Sequence, residues 1–275
     1  MMLTEGGNIF KNAEGAELTR RIVRAEIPTT IAWLEKITGL DFSEERDEED
    51  VPTKWLGSTG RKDDSGDLDL AVDDKAITKE VLADVLSRWC QQQGIPPDQI
   101  RNRAKTKLGP AWKEGWIELT GDSVHFKTPI NGNAKNGFAQ TDFMFGDPKW
   151  QAFAMKGAKQ GDQYTGMSKQ VMLSSIVNAV APELKWSYKH GLVDRATNQT
   201  IEGGKDPQTL SRVTGIPLAS LMSADKIIAA IQRRPDYQTI IAAARETLGQ
   251  SGIKLPESAP AAGSAHWFRV MADRI

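Results

Sequence analysis

Residues 56–72 read LGSTGRKDDSGDLDLAV, a Gly57-Ser58 turn followed by the alternating run Asp67-Leu68-Asp69-Leu70. Side chains on a strand point alternately to its two faces. Asp67 and Asp69 therefore share one face, and Leu68 and Leu70 share the other. Two carboxylates on one face repel each other unless a cation lies between them. Hard oxygen ligands in that arrangement suit Mg²⁺. The loop before them supplies small residues, backbone N–H groups and the cations Arg61 and Lys62, which are the groups a triphosphate requires.

Working outward, Lys54 to Leu56 reads as a first strand and Asp67 to Val72 as a second. Thr78 caps a helix over Lys79–Gln93, with Val81, Leu82, Val85, Leu86 and Trp89 as its apolar stripe and Gly94 as its stop. Ile117–Leu119 and Val124–Ile130 read as strands joined by the Gly121-Asp122 turn. Phe138–Phe145 reads as another, with Gln140, Asp142 and Met144 on one face and Thr141, Phe143 and Phe145 on the other. Upstream, Ile31, Trp33, Leu34 and Ile37 recur at helical spacing ahead of Gly39. Glu44 to Asp50 is almost wholly acidic and reads as a solvated loop.

The motif resembles the nucleotidyltransferase superfamily that includes DNA polymerase beta, poly(A) polymerases and CCA-adding enzymes. The resemblance rests on Leu56-Gly57-Ser58, on Asp67-Leu68-Asp69 and on Asp142 in FAQTDFMF. It covers residues 55–73 and 138–145; in overall style the segments also resemble a phage-encoded nucleotidyltransferase. Two positions depart from the pattern: Gly66 stands where many relatives place Ser, with Ser65 one residue earlier, and Asp122 and Asp147 are nearby alternatives to Asp142. Both of those lie in glycine-containing turns and read as structural.

The resemblance implies an α/β (α+β) fold: a small mixed sheet forming a nucleotidyltransferase core at residues 51–150, preceded by a helical segment at 1–50 and followed by a mainly helical domain at 151–275. It implies that Asp67 and Asp69 contact two Mg²⁺ ions (Mn²⁺ as a substitute), with Asp142 on the ion near the nucleophile. Gly57 and Ser58 would meet phosphate. The expected activity is transfer of a nucleoside monophosphate from an NTP, such as ATP, to an acceptor hydroxyl, with an RNA 3′ end, as in tRNA, as leading acceptor. A protein or small-molecule acceptor is the second expectation, and an inactive nucleotide-binding or assembly module the third.

Several residues stay open between two readings. Arg61 and Lys62 are either phosphate ligands or solvated loop cations. Lys169, at the start of a helix over Ser168–Ala181, holds triphosphate or lies on the surface. His125 and Lys127 share a strand face that reads as a solvent-facing polar edge, with His125 as general base the alternative. Lys185, Trp186, Tyr188 and Lys189 interleave cations with aromatics on a hairpin over Leu184–Ile201, either stacking bases or forming core. Arg101, Arg103, Lys105 and Lys107 form a basic run with no evident opposing acid, suited to a nucleic-acid backbone or to water. Glu5-Gly6-Gly7-Asn8 lines the site or forms a mobile terminus.

Composition narrows the class. The 275 residues carry a formal net charge of −1, so no global basic field advertises nucleic acid. Cys90 is the only cysteine, which excludes an intrachain disulfide and fits a small buried residue in its helix. No apolar run approaches the roughly twenty residues of a membrane span, and MMLTEGGNIFK lacks the apolar centre of a signal peptide. A cytoplasmic protein is expected, or one of the host cytoplasm if phage-encoded. Downstream, Asp206-Pro207 and Ser223 read as helix starts, Asp236–Leu248 as a helix, Glu257–Ser264 as a linker and His266–Arg274 as a docking helix.

Overall fold

A computed structural model describes residues 8–103, 111–162 and 164–242. These residues divide into two compact units, one extending to Gly166 and one beginning at Met167. In the first, β1 (Ile22–Val23) leads into α1 (Ile27–Thr38), then β2 (Trp55–Leu56), β3 (Asp64–Ser65), β4 (Asp67–Asp73), α2 (Lys79–Gln92), β5 (Ile117–Thr120), β6 (Ser123–Pro129), β7 (Phe138–Gly146) and α3 (Pro148–Ala154). The fold is mixed α and β, as the sequence implies.

Five strands form one sheet in the order β2-β4-β7-β6-β5. Its centre is parallel: β4 and β7 run together, with Asp67 opposite Gln140 and Asp69 opposite Asp142. The β4–β7 connection therefore has to cross over, and α2 lies on that path. The other pairings are antiparallel: β2 with β4, β7 with β6, and β6 with β5. The short β3 is held apart, paired with β1.

The register sorts the two faces. Leu68, Leu70, Val124, Phe126, Phe143 and Ile117 join one apolar core with Ile27, Ile31 and Leu34 of α1 and with Leu82, Ala83, Leu86 and Cys90 of α2. The helical segment before residue 50 thus belongs to the core of this unit rather than preceding it as a separate piece. The opposite face of β4 and β7 carries Asp67, Asp69, Gln140 and Asp142. One expected stripe is rotated: Val81 is exposed, while Ala83 and Cys90 are buried instead. Thr78 caps α2 by accepting from the Val81 N–H at 3.3 Å. Cys90 is enclosed in the core, and burial pushes its thiol up to about 12. It is a packing residue.

The second unit contains α4 (Gly166–Val180), the hairpin β8 (Leu184–Ser187) and β9 (Gly191–Asp194), α5 (Pro207–Thr214) and α6 (Ala224–Ile231). Its caps follow the sequence. The Asp206 carboxylate accepts from the Gln208 and Thr209 N–H groups, and the Ser223 hydroxyl accepts from the Lys226 N–H. Trp186 is buried and its indole N–H donates to Gln170 Oε1 at 3.0 Å, so this member of the aromatic-cation hairpin is core. Residues 237–242 are helical, with Asp236 in the turn before them; residues 243–248, the 257–264 linker and the 266–274 segment lie outside the described residues. Among the described residues, no helix is long and apolar enough to cross a membrane.

Candidate metal centre

Parallel pairing brings the carboxylates together. Asp67 and Asp69 project from one face of β4, and Asp142 projects from the same face of β7, directly opposite Asp69. One ligand oxygen from each lies within 4.8 Å of the others. Burial pushes the Asp69 carboxyl well above its usual range, and the like charges of Asp67 and Asp142 push it the same way. Among the described residues no cation pairs with Asp69. The Asp69 N–H donates to Thr59 Oγ1 at 3.0 Å.

The Gly-Ser turn closes over this pair. Leu56 pairs with Asp69 across β2 and β4, which sets the next residue, Gly57, against the Asp69 side chain. Gly57 has φ +56°, and a Cβ there would stand 2.3 Å from Asp69 Oδ2. A glycine is required on both counts. The chain after α3 then runs beside the turn: the Gly57 N–H donates to the Met155 carbonyl at 3.0 Å, and Gly57 bridges to Lys156 in parallel fashion. Gly157 packs so tightly that a Cβ would fall 1.7 Å from the Gly57 carbonyl oxygen. Nothing in the sequence motif announces this second glycine. Ser58 and Ser65 bond to each other through their hydroxyls. Ser65, one residue ahead of its usual place in the pattern, thus secures the turn from across the loop.

The loop cations have separate fates. Arg61 is buried and donates to Glu49 Oε2 at 2.7 Å and to Asp47. Lys156 adds a contact to Asp47 at 3.3 Å, and Lys159 one to Glu49 at 3.6 Å. Arg61 is thus neither solvated nor presented towards the carboxylates as a free phosphate ligand; it fastens the turn to the acidic 44–50 segment. That segment, expected to be merely solvated, is a counter-charge for three cations. Burial raises the Asp47 pKa, but hydrogen bonds from Arg61 and from the Glu49 and Val51 N–H groups outweigh it and hold the group down at about 2. Lys62 stays half-buried in the loop. Lys169 is fully buried on α4, in the second compact unit, and is not a surface lysine.

The polar-edge expectation for His125 and Lys127 is corrected: both are buried. His125 Nδ1 lies 2.7 Å from Asp142 Oδ1. Lys127 donates to the Glu114 carbonyl at 3.1 Å and rests 4.6 Å from the Trp116 ring centre; desolvation lowers its pKa. Gln140 also donates to Asp142, at 3.0 Å. Strand alternation places His125 and Lys127 together, but the antiparallel register that sets His125 against Asp142 depends on how the β6–β7 connection closes, which no short motif encodes.

Other candidates settle into structural roles. Asp147 caps α3, accepting from the Lys149 N–H at 2.9 Å. Asp122 sits in the β5–β6 turn, where its carbonyl accepts from the Phe145 N–H at 2.9 Å. Arg101 does have an opposing acid, Asp84 of α2, at 2.7 Å, and Arg103 lies over Trp112. Lys105, Lys107, Glu5, Gly6 and Gly7 lie outside the described residues. Asn8 is described, and its side-chain amide donates to Thr19.

No protein-family model, curated protein or solved structure matches the chain. The chemistry of the donor set therefore decides what the centre fits. Three carboxylates converge, Asp69 has no cationic partner among the described residues, and the Gly57 backbone lies against it where no side chain would fit. Those features suit a hard divalent cation.

Proposed function

We propose that this chain is a metal-dependent nucleotidyltransferase, moving a nucleoside monophosphate from an NTP to an acceptor hydroxyl with release of pyrophosphate. The observation that carries the reading is the convergence of Asp67, Asp69 and Asp142 on one sheet face, within 4.8 Å, beneath a glycine turn lying against Asp69. Mg²⁺, or Mn²⁺ in its place, would be held by these three carboxylates. Bound there, a pair of such ions supplies cancellation of phosphate charge and a lowered pKa for the attacking hydroxyl.

The chain's own residues do the rest. Asp67 and Asp69 hold the cation, and Asp142 stands on the neighbouring strand to receive the acceptor side. Gly57 would let backbone approach phosphate, and the Ser58–Ser65 bond fixes the turn, whose Gly57, Thr59 and Arg61 N–H groups already donate to the Met155, Leu56 and Ser58 carbonyls. Lys62 is the loop cation left for the triphosphate, since Arg61 is spent on Asp47 and Glu49. An RNA 3′ end is the acceptor that the family resemblance favours.

The test is incubation of the purified chain with each α-labelled NTP, Mg²⁺ and either total RNA or total protein. Label entering RNA is the expected result, and Asp67→Asn and Asp69→Asn should each abolish it. Label entering protein would move the acceptor to a different class. Failure to consume any NTP with either mixture overturns the reading.

A further inference from the structure

Two buried side chains end on Asp142 and have no part in the chemistry above. His125 lies opposite Asp142 in the β6–β7 register, and its Nδ1 reaches Oδ1 at 2.7 Å. Gln140 precedes Asp142 by one strand repeat on the same face, and its Nε2 lies 3.0 Å from Oδ1 and 3.2 Å from Oδ2. The Gln140 amide cannot turn over without loss, because its Oε1 accepts the Ile9 N–H at 2.9 Å. With the oxygen committed to Ile9, the NH₂ group must face Asp142. The Ile9 end is itself held: the Phe10 N–H donates to Asn8 Oδ1 at 3.1 Å, and the Asn8 amide donates to the Thr19 carbonyl at 3.3 Å.

The result is an asymmetric carboxylate: Oδ1 is met by His125 at 2.7 Å and by the Gln140 amide at 3.0 Å, and Oδ2 only by the same amide, at 3.2 Å, among the described residues. An Asp side chain otherwise rotates about two bonds, and freezing that motion on cation binding opposes affinity. Donors that fix a ligand's orientation are commonly worth about 10–100-fold in metal affinity.

We propose that His125 and Gln140 are positioning residues: they lock the Asp142 carboxylate in the orientation that meets a divalent cation shared with Asp67 and Asp69. The inference rests on the metal reading given above, and it concerns affinity for the cation rather than the transfer step. The N-terminal segment around Asn8 and Ile9 thereby becomes part of the support of the centre, through Gln140.

The test is Mn²⁺ titration of the full chain, following the free ion by electron paramagnetic resonance, with thermal melting of each metal-free variant alongside. His125→Leu removes the donor, whereas His125→Asn keeps a donor where Nδ1 stands. His125→Leu should weaken Mn²⁺ binding about 10–100-fold, with His125→Asn staying within about threefold of the wild type. Gln140→Met, which loses the second donor, should also weaken it and decides the matter if His125→Leu does not fold. Wild-type affinity in folded His125→Leu or Gln140→Met overturns the proposal. So does equal loss in His125→Asn and His125→Leu, which would mean that ring shape matters and the donor does not. A wild-type chain that binds Mn²⁺ and responds to these variants, yet consumes no NTP, ends the transferase reading while the positioning role stands. A wild-type chain that binds no Mn²⁺ overturns both.

Discussion

Asp69 is the residue at which the centre works against the fold. Burial and two neighbouring carboxylates disfavour its ionised form, so its proton is held more tightly in the folded chain than in the unfolded one. A raised folded pKa means that the unfolded state loses its proton first as pH rises. The metal-free protein should therefore lose stability as pH climbs from about 4, the ordinary carboxylate value, through the raised pKa. Asp69→Asn has no such proton to lose. Its metal-free melting temperature should exceed that of the wild type by a few degrees at neutral pH and vary less across this window, while Mn²⁺ no longer raises it. Calorimetry with and without Mn²⁺ reads both effects; a less stable metal-free Asp69→Asn would contradict them. Gly57 is constrained at the same spot. Gly57→Ala introduces a Cβ at φ +56° and 2.3 Å from Asp69 Oδ2, which should cost about 1–3 kcal/mol in a urea melt and also weaken Mn²⁺ binding. A silent Gly57→Ala would show that the turn is free to move away.

Between elements, what holds the turn against the sheet is charge. Arg61, with 3% of its side chain exposed, joins the loop after β2 to Asp47 and Glu49, and Lys156 reaches Asp47 from beyond α3. Asp47 is held at a pKa of about 2, below its unfolded value, so its contribution is present above the ordinary carboxylate range and disappears as pH falls towards 2. Asp47→Asn should therefore destabilise the chain by about 2 kcal/mol at neutral pH, and the gap should close as pH falls from about 4 towards 2. Urea melts at several pH values measure this, and a gap that stays constant with pH would show that the Arg61 contact carries no charge-dependent stability. Such pairings mark where sequence reasoning stops. The alternation Asp67-Leu68-Asp69 and the face shared by Gln140 and Asp142 are legible because strand period alone fixes them. The partners of Arg61 and His125 are not, since each depends on register or loop closure between distant segments. The rotated stripe of α2 has a similar cause: both Val81 and Ala83 fit a helix, and tertiary packing rather than helical spacing decides which is covered.

At the scale of the whole chain, the change of character near residue 150 is visible in composition, yet the compact units part later, between Gly166 and Met167. The reason lies in Met155–Gly157, which looks like the start of something new in sequence but supplies the carbonyl and the glycine that close on Gly57. Likewise the helix at Ile27–Thr38 reads as a preface, but Ile27, Ile31 and Leu34 are buried in the same core as Leu68 and Phe143. These placements give the first unit everything the metal reading requires: the three carboxylates, His125, Gln140, Ile9, Thr59 and both glycines all precede Met167. A fragment ending at residue 166 should then melt cooperatively and bind Mn²⁺ within about threefold of the full chain, as expected for a domain-sized segment with its own apolar core. Equilibrium unfolding of the fragment, followed by Mn²⁺ titration, tests this in two steps. If the fragment is folded and binds no Mn²⁺, residues after 166 contribute to the centre directly. If it does not fold, the core assigned to the first unit is incomplete without them.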